Sequence, residues 1–196
     1  MTQKTFIFVG RSGCGKGTQA KLLMDYLKKN DTKDVLYIQT GSEIREFIKG
    51  NSETQKMSKT IYDIGGLMPE FIAVYMWIKI LVEKYTKNEH IVFDGTPRRH
   101  HEAEVLNSVF DFYSIKKPYV IYIDVNKEES IERLTARGRF DDNKDDIEER
   151  LSWYESEAEV AIDYYRNNKD YIFLTIDGMR TIEDIHKDII GRIDTN

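Results

Sequence analysis

Apolar residues in this chain form short continuous runs that alternate with longer stretches of helical periodicity. The short runs are rich in β-branched and aromatic residues and lie at 5–9, 35–38, 90–93, 119–125 and 171–176. Because both faces of such a run are apolar, each run is typical of a strand that is buried on both sides. The pattern therefore predicts five buried strands.

The stretches between these runs carry apolar residues spaced three and four positions apart, which predicts amphipathic helices. The clearest stripes cover residues 20–27, 71–85, 147–165 and 182–193. We interpret them as faces that pack on the core. Strands that alternate with helices predict an α/β fold, with a five-stranded parallel sheet wrapped by helices.

The segment between the second and third predicted strands is longer than a simple crossover, which needs one helix. It contains separate helical patterns near 44–48 and 57–61. We therefore expect a single domain, 1–196, that carries a small helical subdomain at about 39–70.

Composition and charge exclude several function classes. The net charge of the 196 residues is −5, whereas a nucleic-acid binder usually presents a basic surface. Cys14 is the single cysteine, so neither an intramolecular disulfide nor a cysteine-cluster zinc site can form. No apolar run approaches the roughly 18 residues that span a bilayer, and Met1 lies too close to the first strand for a signal peptide. We expect a cytoplasmic protein with no zinc, no nucleic-acid partner and no membrane partner.

A glycine-rich segment, GRSGCGKGTQ at 10–19, follows the first predicted strand and begins the first predicted helix. Such glycines let backbone N–H groups point at phosphate oxygens, and the helix N-terminus adds partial positive charge. Lys16 can reach the β- and γ-phosphates, and Thr18 can lie near magnesium. Gly17 follows the lysine where the strict pattern has Ser or Thr. The order of strand, loop and helix nevertheless predicts a phosphate-binding loop, and with it the three-layer P-loop NTPase type of fold.

The same segment resembles the phosphate loop of adenylate kinases and the related UMP/CMP kinases, since other P-loop kinases usually have Ser or Thr directly after the lysine. Three more segments resemble the monophosphate site of adenylate kinases, in the same order along the chain: TGSEIR at 40–45, GLMPE at 66–70 and DGTPR at 94–98. The resemblance implies that Thr40 meets the base and that the backbone of 66–70 lines its pocket. It also implies that Arg45 and Arg98 bind the phosphate, for which the planar guanidinium is well matched.

Arginines downstream of the fourth strand extend the resemblance. Arg133 and Arg137 are four residues apart and share a helix face. In the family the matching pair contacts ATP, the first on adenine and the second on phosphate. RFDD at 139–142 and RLSWY at 150–154 resemble two further arginine motifs of the family. Phosphoryl transfer requires cations around the equatorial oxygens.

The lid is the main departure from the family. Only Gly138 separates Arg137 from Arg139, whereas short-lid members have several residues there. We therefore expect a minimal lid at about 137–141. Further on, IDGMRT at 176–181 resembles the Val-Asp-Gly segment that borders the ATP base, which implies a role for Arg180.

The resemblance implies a nucleoside monophosphate kinase that uses Mg²⁺ with ATP and most resembles enzymes acting on AMP. The cationic side chains expected to carry catalysis are Lys16, Arg98, Arg137, Arg139 and Arg150. The residues expected to bind ATP are Ser12, Gly13, Cys14, Gly15, Lys16, Gly17, Thr18, Arg133, Arg137 and Arg180. The residues expected to bind the monophosphate are Thr40, Gly41, Arg45, Gly66, Leu67, Met68, Gly95, Arg98, Glu102, Arg139 and Arg150. Thr18 and Asp94 are the residues expected at the metal, Asp94 through water.

Alternatives to an AMP kinase stay open. Adenylate kinases usually have Gln where Glu102 stands and Phe where Thr96 stands. An ionised carboxylate accepts hydrogen bonds but cannot donate one, which suits the two adjacent donors of guanine. A GMP kinase is therefore the serious alternative, unless Glu102 points to solvent or pairs with Arg99.

A UMP/CMP kinase is disfavoured by Thr40, where those enzymes usually have Ala. A nucleotide-binding regulator without turnover is disfavoured by Lys16 and the arginines. Because the family is mostly monomeric, we expect a monomer.

Overall fold

Residues 2–138 and 144–195, the part of the chain that the computed structural model describes, contain a sheet of five parallel strands. The strands are β1 (Thr5–Val9), β2 (Val35–Gln39), β3 (His90–Asp94), β4 (Tyr119–Asp124) and β5 (Ile172–Asp177). Their order in the sheet is β2-β3-β1-β4-β5. The predicted α/β fold is confirmed. The ends of four strands differ by one residue from the apolar runs. β2, β3 and β5 each extend to a polar residue because the backbone ladder also includes polar pairs, such as Gln39 with Asp94.

Helices follow the strands and surround the sheet. They are α1 (Lys16–Asn30), α2 (Thr40–Phe47), α3 (Glu53–Asp63), α4 (Glu70–Lys84), α5 (His100–Tyr113), α6 (Lys127–Arg137), α7 (Lys144–Trp153), α8 (Glu159–Arg166) and α9 (Ile182–Asp194). A π-helical turn, Tyr154–Ala158, joins α7 to α8. Throughout the described ranges, no helix is both long enough and apolar enough to cross a membrane.

Two apolar layers cover the two faces of the sheet. Successive residues of β1 face opposite layers, as the period of a strand requires: Ile7 belongs to one cluster and Phe8 to the other. α4, α5 and α8 build the first layer, which contains Trp77. α1 and α9 build the second. This burial on both faces is why the strands read as continuous apolar runs.

The segment between β2 and β3 has its own small apolar cluster, in which α2 and α4 meet through Ile44, Ile48, Met68, Ile72 and Met76. α3 begins with a capping box, in which Ser52 and Gln55 each accept a hydrogen bond from the other's backbone N–H. The helices agree with a helical unit at about 39–70, whose bounds as a subdomain stay a prediction. The predicted lid, about 137–141, falls mostly outside the described residues.

Candidate active site

A cavity of about 690 Å³ lies at the carboxyl ends of β1, β2 and β3, where ligands bind in open α/β sheets. It brings together most of the residues that the sequence singled out. Those that line it are Ser12, Gly13, Cys14, Gly15, Lys16, Gly17, Thr18, Gly41, Arg45, Gly66, Met68, Asp94, Gly95, Arg98, Arg133, Arg137, Arg150 and Arg180. Thr40, Leu67 and Glu102 are not among the described lining residues, and Arg139 lies outside the described part of the chain.

The loop between β1 and α1 curls around the ammonium group of Lys16. Its Nζ donates to the carbonyl of Gly10 at 2.6 Å and to that of Arg11 at 2.7 Å, and it lies 3.5 Å from Sγ of Cys14. An ammonium has three N–H donors, and sulfur is a weak acceptor. Two of its N–H groups therefore form good hydrogen bonds to carbonyls. The third N–H faces only the sulfur of Cys14, a weak acceptor that a phosphate oxygen can replace with little loss of free energy.

Asp94 ends β3 and lies beside the phosphate loop because β3 pairs with β1. Its Oδ2 accepts hydrogen bonds from the hydroxyl of Tyr37 at 2.7 Å and from Nε2 of Gln39 at 2.9 Å. Both donors come from β2, and sequence reasoning missed them: Tyr37 was predicted only as part of a buried strand, and Gln39 was placed just beyond its end. Together they fix the orientation of the carboxylate.

Asp94 and Thr18 fit a magnesium ion that is shared with the substrate. Among the described residues no group of three or more His, Cys, Asp or Glu side chains could hold a metal. Mg²⁺, however, usually keeps several waters and binds through one or two carboxylates plus substrate phosphates. One carboxylate and one hydroxyl on the wall of a phosphate cavity are consistent with that mode.

Arg98 follows β3 and faces the same cavity. Its Nε donates to the carbonyl of Gly95 at 3.0 Å, and its guanidinium carbon lies 5.3 Å from the ring centroid of Trp153. Burial lowers the pKa of Arg98, while the charge of Glu102 raises this pKa and that of Arg150 lowers it. A poorly solvated guanidinium close to a second cation is stabilised by a phosphate dianion.

Arg133, which also lines the cavity, joins two loops. It donates to the carbonyl of Gly178 at 2.9 Å and to that of Cys14 at 3.4 Å, and its Nε donates to Glu129 at 2.7 Å. Arg180 donates to Asp188 at 2.6 Å. These contacts place Arg133 between the phosphate loop and the segment that follows β5.

Glu102 is fully buried in the first turn of α5. Its Oε2 accepts from the backbone N–H of Arg98 at 3.0 Å and from the hydroxyl of Thr96 at 3.4 Å. Its Oε1 lies 3.9 Å from Nη1 of Arg99 and has no hydrogen-bond partner among the described residues. Burial raises the pKa of this carboxyl. Glu102 thus does not point to solvent, and the pairing with Arg99 is a long one.

Thr40 is also buried, with 2 % of its surface exposed. Within the described ranges its Oγ1 has no hydrogen-bond partner. Thr40 and Glu102 therefore share one property. Each has a buried side-chain oxygen that forms no hydrogen bond with any described residue.

Trp153 and Tyr154 also line the cavity, and sequence reasoning gave neither of them a role. Trp153 donates from Nε1 to the carbonyl of Gly65 at 3.2 Å. The guanidinium carbon of Arg11 lies 4.6 Å from the centroid of the Tyr154 ring. Both aromatic residues belong to the segment where α7 passes into the π-helical turn, and π-helical turns often mark functional sites.

Comparison with known proteins agrees with this geometry. A model of the adenylate kinase family matches residues 8–170. The adenylate kinase of Corynebacterium urealyticum is 31% identical over 96% of this chain and 98% of its own length. That of Azobacteroides pseudotrichonymphae is 32% identical over 94% of each chain. That of Francisella philomiragia is 30% identical over 95% of this chain and 98% of its own length. The chain therefore belongs to the adenylate kinase family and is a nucleoside monophosphate kinase that uses ATP.

Proposed function

We propose that the acceptor is AMP, so that the reaction is reversible transfer of the γ-phosphoryl group of Mg·ATP to AMP, giving two ADP. The observation that carries the proposal is one cavity in which Lys16 and Arg98 lie with Arg137 and Arg150. Such a cluster supports phosphoryl transfer by alignment and charge stabilisation, which needs no general base. The names of the relatives, all adenylate kinases, support AMP.

Each cation has a separate task in this proposal. Lys16 is held by two loop carbonyls and would turn its remaining donor to the transferred phosphoryl group. Arg98 would bind the phosphate of the monophosphate, and Arg137 and Arg150 would offset charge on the equatorial oxygens. Arg139 is expected to join them.

Magnesium would be held by Asp94 through water and by Thr18, and it would supply a positive charge that neutralises the phosphates. Tyr37 and Gln39 hold Asp94 in one orientation through their hydrogen bonds to Oδ2. The second oxygen of the carboxylate, Oδ1, would accept from a metal-bound water.

GMP is the second candidate acceptor, and the buried carboxyl of Glu102 is the observation that favours it. Its Oε2 already accepts from the backbone N–H of Arg98, so only Oε1 is left for a base. When ionised, Oε1 can accept from a donor of guanine. When protonated, Oε1 can donate to a ring nitrogen of adenine. The raised pKa extends the protonated form to higher pH and so supports AMP. The charged groups that act on this carboxyl are Arg98, Arg99 and Glu70.

The test is ADP formation in a coupled assay with AMP, GMP, UMP and CMP as acceptors. We expect the highest kcat/KM with AMP and the next highest with GMP. A higher kcat/KM with any other monophosphate would contradict the proposed acceptor. ATP binding without turnover on any of the four would instead indicate a nucleotide-binding regulator.

A further inference from the structure

The turn between α3 and α4, residues 64–69, is held against the rest of the protein by two side chains from outside it. Trp153 donates from Nε1 to the carbonyl of Gly65 at 3.2 Å. Arg99 donates from Nη1 to the carbonyl of Met68 at 2.7 Å. Gly65, Gly66 and Met68 line the cavity. One wall of the cavity is therefore positioned by donors that lie far away in sequence.

The turn also packs directly on the backbone of α7. Gly65 has φ +69°, and a Cβ at this position would lie 2.7 Å from Cα of Asp146 and 2.8 Å from its carbonyl oxygen. Only glycine combines this conformation with so close an approach. Asp146 and Trp153 lie seven residues apart, about two helical turns, so they share one face of α7. Both contacts are made by Gly65, so this one residue docks the turn on α7, through close backbone packing at Asp146 and through its carbonyl on the indole N–H of Trp153.

Trp153 has a second contact, with Arg98, which also lines the cavity. The guanidinium carbon of Arg98 is 5.3 Å from the centroid of its indole ring. A cation at this distance from a Trp ring is attracted by the ring quadrupole. The Nε of Arg98 is bonded to the carbonyl of Gly95, so the indole and this carbonyl together restrict the guanidinium. One side chain thus touches both the 64–69 turn and Arg98.

We propose that Trp153 is a positioning residue for the monophosphate. Its N–H holds the 64–69 turn in place at the wall of the cavity, and its ring holds Arg98 in the orientation that meets the phosphate. The proposal rests on the proposed function in one respect, that the ligand on this side of the cavity is a nucleoside monophosphate.

The test separates the two contacts with two substitutions. Trp153→Phe keeps an aromatic ring near Arg98 and removes the N–H donor, whereas Trp153→Leu removes both contacts. Since one hydrogen bond is lost, we expect Trp153→Phe to raise KM for AMP about three- to tenfold and to leave KM for ATP unchanged. Trp153→Leu should raise KM for AMP further and should also lower kcat.

Trp77 provides the matched control. It is the other of the two tryptophans, it is fully buried in the core layer around α4, and it makes an edge contact with Phe93. Trp77→Phe should lower the melting temperature and leave both KM values unchanged. If Trp153 only contributes to packing, Trp153→Phe will behave in the same way, and that result would overturn the proposal.

Fluorescence gives a readout that does not require turnover. In the Trp77→Phe variant Trp153 is the only indole, and AMP should change its emission because the phosphate engages the guanidinium beside the ring. If that variant does not fold, the AMP-induced change in wild type minus that in Trp153→Phe gives the same information. An emission that does not respond to saturating AMP would overturn the proposal. Wild-type protein that binds AMP with this response yet makes no ADP would contradict the proposed function alone.

Discussion

The carboxylate of Asp94 lies against the backbone of Gly17, so that a Cβ at position 17 would come within 3.3 Å of Oδ2. Two residues that are distant in sequence are brought together because β1 and β3 are neighbours in the sheet. This glycine follows Lys16 where the strict phosphate-loop pattern has Ser or Thr. A side chain at position 17 would require the Asp94 carboxylate, which is expected to serve the metal, to shift by a few tenths of an ångström.

Gly17→Ser restores the strict motif, and we expect it nevertheless to lower activity. The added Cβ crowds Asp94 and also comes within 3.7 Å of Nε2 of Gln39. We expect kcat to fall and the Mg²⁺ concentration required for half-maximal rate to rise. Both are measured by magnesium titration in the coupled assay. Gly191→Ala in α9, where no described atom lies within 4 Å of the new Cβ, is the matched control and should leave both quantities unchanged. An increase in kcat for Gly17→Ser would show that the contact does not constrain the site.

Lys16→Ala should abolish most of the transfer and leave the fold intact. The ammonium group is bonded to carbonyls of its own loop and lies near Cys14, so its removal leaves the contacts between the sheet and the helices in place. Its charge is expected on the migrating phosphoryl group, and loss of one such group costs about 10²- to 10³-fold in kcat. Turnover and a thermal melt are measured together. Lys28→Ala, an exposed position further along α1, should match wild type in both. Near-wild-type turnover in Lys16→Ala would remove the basis for the phosphate-loop assignment.

Glu102→Gln should increase the preference for AMP over GMP. With its oxygen on the backbone N–H of Arg98, the amide presents an N–H donor to the base at every pH, which suits a ring nitrogen of adenine and leaves a donor of guanine unpaired. A buried unpaired group costs about 1–3 kcal/mol, so kcat/KM for AMP relative to GMP should rise roughly 5- to 150-fold at a pH where the wild-type carboxyl is ionised. Steady-state constants for both acceptors measure this change. An unchanged ratio would mean that Glu102 does not contact the base.

The same variant carries a pH signature. In wild type the AMP preference should fall as pH rises through the raised pKa of Glu102, because the donor is lost on ionisation. In Glu102→Gln the preference should stay flat with pH, since the amide does not titrate. The acceptor ratio is measured over a pH series from acid to mildly alkaline buffer. Parallel pH profiles in the two proteins would contradict the assignment of the titration to Glu102.

Stability should also respond to the ionisation of Glu102. The pKa of this carboxyl is raised in the folded protein above its ordinary value of 4.5, so the folded state binds the proton more tightly than the unfolded state. The free energy of unfolding therefore falls as pH rises from this ordinary value through the raised pKa, because the proton that favours the folded state is lost. The amide of Glu102→Gln does not titrate, so the free energy of unfolding of this variant does not fall for that reason. Urea unfolding is measured in acid and in mildly alkaline buffer. The free energy of unfolding of the variant, relative to that of wild type, should be larger at the higher pH. An equal difference in both buffers would mean that the carboxyl stays in one state.

The sequence by itself determined the fold class and predicted the phosphate loop. A continuous apolar run indicates a strand that is buried on both faces, and the run can be read from consecutive residues of the sequence. Each of the five strands could therefore be located to within one residue. The loop is equally local, because GRSGCGKGTQ lies between one strand and one helix. The order of the later motifs then indicated the family, which the match over residues 8–170 confirmed.

Only the tertiary structure decided how the site is held. Tyr37 and Gln39 meet Asp94 because β2 pairs with β3, and the sheet order cannot be read from periodicity. Trp153 meets Gly65 across 88 positions, and neither residue carries a local pattern that predicts the contact. Glu102 was expected at the base, yet its Oε2 is bonded to the backbone of Arg98 and only Oε1 is left for a ligand. Apolar periodicity reports which face of an element is buried, whereas the partners of a polar side chain depend on which elements the fold brings together.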